Sequence, residues 1–126
     1  MKKAFFKPTD SELEILQVLW RQGPCTVKAV QEALGKETGY TTALKFLQIM
    51  TEKALVRRNE SQRAHVYEAV SSKDHTQRQL LAGFLNRAFA GSTSQLIMQA
   101  LASKRATPAE LEEIRQLVDR LAKEAK

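Results

Sequence analysis

The chain has 126 residues, a formal net charge of +6, a single Cys and two His. That length suits one domain, or one small domain with an appendage, and the positive excess favours a polyanionic partner held through Lys/Arg contacts to phosphates. A lone Cys25 excludes an internal disulfide and any multi-cysteine metal site, and His65 and His75 stand far apart without a carboxylate pattern for zinc. No stretch approaches the roughly 18 apolar residues of a membrane span, and the apolar run Ala4-Phe5-Phe6 is too short for a signal peptide. A cytoplasmic protein without stable membrane association is expected.

Thr9-Asp10-Ser11-Glu12 is a capping box, in which the Thr9 hydroxyl and the Glu12 carboxylate satisfy each other's backbone amides. Leu13, Leu16, Leu19 and Trp20 follow at helical spacing, and Gly23-Pro24 ends this first helix. Thr26 caps a second, short helix with Val27, Val30 and Leu34 inward and Gly35 as its stop. A third helix spans Tyr40–Lys53 after Gly39. Strands fit Leu55–Asn59 and Arg63–Glu68, with Glu60-Ser61-Gln62 as the turn, and a short β-element near Cys25 is compatible with them. Three helices followed by a two-stranded ribbon is a winged helix-turn-helix pattern.

Ser71 or Ser72 opens a further helix whose apolar face is Leu80, Leu81, Phe84, Leu85, Ala88 and Phe89, stopping at Gly91. A shorter helix carries Leu96, Ile97, Ala100 and Leu101. Thr107-Pro108-Ala109-Glu110 is a second capping box with Pro at the first helical position, opening a last helix with the stripe Leu111, Ile114, Leu117, Val118 and Leu121. The expected fold is therefore mainly α with a small β-wing: a winged-helix DNA-binding domain over residues 1–70 and a three-helix domain over 71–126. Three helices in about 55 residues are near the size limit of an independent core, and their apolar stripes are wide for so small a bundle. A two-fold partner supplies the missing wall most simply, which makes a homodimer the expectation. Its interface would use Leu81, Phe84, Leu85, Leu96, Leu101, Ile114, Leu117, Val118 and Leu121.

At about 100° per residue, Ala43, Leu47, Met50 and Ala54 gather on one side of the third helix, and Thr41, Lys45, Gln48 and Glu52 on the other. The first set suits packing on Leu16, Trp20, Val30 and Leu34. In the second, Thr and Gln can exchange hydrogen bonds with base edges, and Lys45 can reach guanine or phosphate. Tyr40, Thr41 and Thr42 stand at the amino end, where backbone amides favour a phosphate. Arg57, Arg58 and Arg63 suit the flanking DNA backbone, although Arg57 and Arg58 alternate across a strand and cannot both face the same way. A polar helix face is commonly just solvated; the basic ribbon that follows is what favours DNA. Leu44, Phe46, Ile49 and Trp20 read as packing residues and Cys25 as a small apolar filler. No nucleophile–base pair, metal cluster or phosphate loop is visible, since Gly35-Lys36 lacks the rest of a P-loop, so neither an enzyme nor a cofactor is expected. The competing reading is a winged-helix protein–protein interaction module that binds no DNA.

The chain resembles the BlaI/MecI/CopY penicillinase-repressor type of bacterial regulator. The resemblance lies in Pro8-Thr9-Asp10-Ser11-Glu12-Leu13-Glu14-Ile15-Leu16, Val18-Leu19-Trp20, Gly23-Pro24-Cys25-Thr26-Val27, Tyr40-Thr41-Thr42, Leu47-Gln48-Ile49-Met50-Thr51-Glu52-Lys53, Leu55-Val56-Arg57-Arg58, Arg63-Ala64-His65-Val66-Tyr67 and Phe89-Ala90-Gly91-Ser92, in the family's order. It implies a dimeric repressor on a palindromic operator, often with TACA/TGTA-like half-sites, controlling resistance or stress genes. The base-reading positions of the family fall on Thr41, Thr42, Lys45 and Gln48, and its wing cation on Arg63. Many relatives have Gly where Ala54 stands between Lys53 and Leu55. The carboxy-terminal cysteine cluster of the copper-responsive branch is missing, so metal sensing of that kind is not expected. In the β-lactam branch a membrane sensor-protease acts upstream and triggers cleavage near an Asn-Phe bond; the corresponding Ile97-Met98-Gln99-Ala100-Leu101 has no such dipeptide.

Overall fold

Thr9 sets where the first helix begins: its side chain accepts from the Glu12 amide at 3.2 Å, while Glu12 Oε1 accepts from the Thr9 amide at 2.9 Å. The reciprocal cap opens α1, Asp10–Gln22. The computed structural model describes residues 7–35, 37–61 and 63–125, so Met1–Phe6, Lys36 and Gln62 of the expected turn lie outside the described residues. Thr26 caps α2, Val27–Leu34, by accepting from the Ala29 amide, and Gly39 precedes α3, Tyr40–Glu52, without a capping side chain. Strands β1 (Val56–Asn59) and β2 (Val66–Ala69) form an antiparallel pair in the register Val56↔Ala69 to Asn59↔Val66. The second strand thus begins three residues later than the sequence suggests, and Arg63, Ala64 and His65 stand in the connection. A bridge joins Cys25 and Tyr67 through both backbone hydrogen bonds, at 2.9 and 2.8 Å, so a β-element near Cys25, with which the sequence is compatible, roots the wing.

The apolar stripes of α1, α2 and α3 meet over the wing in one core. Ile15, Val30, Ala43, Leu47 and Met50 have no exposed surface, and Leu16, Val18, Leu19, Val27, Val56 and Tyr67 are buried with them. Burying side chains of this size stabilises by about 1.5–3 kcal/mol each. Trp20 stands half-buried at the edge, where its indole Nε1 donates to the Ser71 carbonyl at 3.0 Å. Ala54 lies outside the buried set of α3: it is exposed and left-handed, with φ of 64°. The amides of Ala54 and Leu55 turn back to the Thr51 and Met50 carbonyls, closing the helix end as a Gly-type terminator does.

Three more helices complete the chain: α4 (Lys73–Phe89), α5 (Thr93–Ser103) and α6 (Pro108–Glu124). The compact units divide inside α4, one running to Leu81 and the other beginning at Ala82. In the first unit, Ser72 accepts from the His75 amide at the start of α4, and Thr76 is buried. In the second, Ala90 and Gly91, both at positive φ, end α4, and Phe84 and Phe89 stack edge-on at 5.7 Å. Thr107 and Glu110 form the second capping box, opening α6. No residue between 82 and 125 is buried.

Two stability measurements follow. An alanine in the left-handed region costs about 1 kcal/mol relative to glycine, so Ala54→Gly is expected to raise unfolding free energy by about that amount in urea titration. Glu12 is the buried carboxylate of the core rim: burial pushes its pKa up, but the Thr9 amide and the Lys53 ammonium together outweigh that and hold it below the usual value. Its contribution is therefore complete above the unfolded carboxylate pKa, about 4.3, and is lost as pH falls through the lower folded value. The stability difference between wild type and Glu12→Gln should shrink steadily as unfolding is followed from neutral pH into that acid range.

Candidate nucleic-acid interface

The period that buries Ala43, Leu47 and Met50 leaves Tyr40, Thr41, Thr42, Lys45 and Gln48 exposed along the outside of α3. Two grooves flank that outer surface. On one side Thr41, Thr42, Lys45, Phe46 and Ile49 line a shallow depression of about 290 Å³. Phe46 also packs against the core, whereas half-buried Ile49 offers apolar surface between the hydroxyls and the ammonium.

On the other side a cleft of about 690 Å³ opens between the start of α2, the Tyr40–Leu44–Gln48 edge of α3 and the wing. The wing contributes Arg58, Arg63, Ala64, His65 and Tyr67, and α2 contributes Thr26, Val27 and Lys28. Three basic side chains, Lys28, Arg58 and Arg63, therefore share one concave surface with the polar edge of α3. Lys28 escaped the sequence reading, in which α2 figured only as packing. The signal available was its place directly behind the Thr26 cap and the apolar Val27, at the amino end of the helix.

The two strand arginines part company. Arg57 sits opposite Glu68 in the register and donates to its carboxylate through Nε at 3.0 Å and Nη2 at 2.8 Å. It does not line the cleft. Arg58 does, and it is paired with Glu60 in the wing connection. The Glu60 carboxylate, with the Tyr67 hydroxyl next, favours the charged guanidinium and raises its pKa further. Both pairs are substantially exposed, and such surface pairs contribute about 0–1 kcal/mol, so a phosphate can compete for either arginine.

Cys25 supplies no chemistry here. It is buried, its Sγ donates to the Gly23 carbonyl at 3.2 Å, and burial raises the thiol pKa, which disfavours the reactive thiolate. Among the described residues no group of three or more His, Cys, Asp or Glu is arranged to hold a metal, and no helix is long and apolar enough to cross a membrane.

The residues assigned to pairing of subunits sit on α4, α5 and α6. Leu81, Phe84, Leu101, Leu117, Val118 and Leu121 are each exposed by 38% or more, and Leu85, Leu96 and Ile114 are half-buried.

Comparison with known proteins agrees with this architecture. The transcriptional regulator BlaI from two strains of Mycobacterium tuberculosis is 37% identical over 84 residues, a span covering 64% of this chain and 58% of the relative. The matched part thus spans less than two thirds of those curated relatives. The structure of a mutant of ZitR from Lactococcus lactis aligns with all of this chain and 81% of its own, with a TM-score of 0.50 and 18% identity, a likeness of fold alone. The family described as Penicillinase repressor matches residues 8–120, from the first capping box into α6, and the chain belongs to that family.

Proposed function

We propose that this protein is a homodimeric, sequence-specific DNA-binding repressor in which residues 1–70 read an operator half-site and residues 71–126 hold two copies together. One observation carries the reading: Thr41, Thr42, Lys45 and Gln48 stand exposed on a helix whose inner side is fully buried, beside a cleft lined by Lys28, Arg58 and Arg63. A helix presented in this way enters the major groove, where Thr and Gln exchange hydrogen bonds with base edges and Lys45 reaches guanine or phosphate. Phe46 and Ile49 lie beside them, and apolar surface there suits a thymine methyl. The first-turn amides of α3, with no side chain of Gly39 to cap them, are free to meet a phosphate. Arg63, His65 and Lys28 serve the backbone and set register without reading sequence.

Dimerisation rests on the exposed apolar side chains of α4, α5 and α6. A unit with no buried residue among those described lacks the apolar core that stabilises small domains, and a second copy of the same surface provides it. Paired winged helices then meet half-sites about one helical turn, roughly 10 base pairs, apart. Induction acts by loss of dimerisation, with a membrane sensor-protease as the upstream partner. Residues 97–101 lie within α5, so cleavage there requires that the helix open first.

Electrophoretic titration against fragments of the protein's own upstream region tests the reading directly. Lys45→Ala and Arg63→Ala should each weaken binding, and each should lower the slope of log affinity against log salt by about 0.9 for every phosphate contact removed. Unchanged affinity and slope in both variants would remove the DNA-facing assignment. Leu117→Asp combined with Leu121→Asp should yield monomers in sedimentation and severely weakened operator binding, because paired half-site contacts are lost together. An intact dimer in that double variant would place the interface elsewhere.

A further inference from the structure

Glu12 is 2% exposed and carries a carboxylate that belongs to neither groove along α3. Lys53 Nζ meets both of its oxygens, at 3.0 and 2.9 Å, while Oε1 also receives the Thr9 amide. A carboxylate this deeply placed needs a partner, since an unpaired buried charge is strongly unfavourable. What is unusual is where the partner comes from: Lys53 is the C-cap of α3, immediately before the left-handed Ala54. The pair therefore ties the last turn of α3 to the first turn of α1.

We propose that Glu12 and Lys53 are positioning residues for sequence reading, setting the orientation in which α3 presents Lys45 and Gln48; this rests on the DNA-binding function proposed above. α3 packs chiefly on α2 and β1, and Ala43, Leu47 and Met50 are its buried residues. Apolar contact is non-directional and permits small rolls and slides of a helix in its seat. A charge-assisted contact to two oxygens is directional and does not. Base readout requires side chains placed within about 0.5 Å, finer than apolar packing alone enforces. A well-packed neutral pair supports a fold as well as a buried ion pair does, so stability alone gives no reason for charge at this position. Orientation does.

The test uses the full chain carrying Glu12→Gln and Lys53→Met together. The double variant removes both charges without stranding either, and the amide oxygen still accepts from Thr9. The probes are a duplex selected by the wild-type protein from a randomised pool and a scrambled duplex of equal length. Thermal unfolding should stay close to wild type, while hydrogen exchange quickens at the Lys53 and Leu55 amides. Preference for the selected duplex should fall about tenfold, the worth of one good base contact, with affinity for the scrambled duplex and its salt slope unchanged. Wild-type preference in the double variant overturns the proposal, and so does an equal loss of affinity for both duplexes. Lys53→Arg guards against a double variant that does not fold: it keeps the charge but changes donor length and shape, and it too should lose preference. Full wild-type preference in Lys53→Arg likewise overturns the proposal. A wild-type protein that selects no duplex at all is a different failure, because it removes the DNA-binding function itself.

Discussion

The structure turns on α3 being two things at once, a wall of the core and an outer surface with nothing over it. Ala43, Leu47 and Met50 have no solvent exposure, while Thr41, Lys45 and Gln48, one or two residues away, are exposed. A 3.6-residue period is what allows this in thirteen residues. The other elements of the first unit serve that arrangement. α1 and α2 supply the opposing apolar stripes, β1 follows the left-handed exit at Ala54, and the wing returns to the core through Tyr67.

Electrostatics on the wing are moderated rather than maximal. Glu68 answers Arg57 and Glu60 answers Arg58, both at exposed sites where the attraction is weak and salt-sensitive. Such pairing holds the arginine side chains in order without withdrawing them from a stronger anion. Lys28, by contrast, stands at the amino end of α2, where the helix dipole adds to its charge. The concave surface thus runs from the compensated Arg58 on the strand to Lys28 at the helix terminus.

Much of the fold was legible from the chain because its signals are local. Thr9 with Glu12, Thr107 with Glu110, and Thr26 before Val27 each fix a helix start within four residues. The Cys25 bridge was open to expectation for the same reason, lying between two well-marked helices. What stayed hidden depends on partners distant in sequence. Alternation over Arg63–Glu68 suits a strand, but ladder register is decided by the opposite strand, and only Val66–Ala69 found partners. Arg57 and Arg58 were known to diverge, yet which one lines the cleft follows from Glu68 standing across from Arg57. Lys28 gains its meaning from wing residues thirty or more positions away. Glu12 declared its cap within its own turn but gave no hint of Lys53, 41 residues on.

The Cys25–Tyr67 clasp has a bearing on how such a chain diversifies. The base of the ribbon is held at two places, by the Val56–Asn59 ladder and by that bridge, whereas the described residues between Asn59 and Val66 contribute nothing to the ladder. Lengthening such a span costs only about 0.6 kcal/mol of closure entropy per doubling. Insertions near Ser61 therefore lengthen the ribbon while the helices keep their seats. Ribbon length becomes an evolutionary variable separable from the surface of α3.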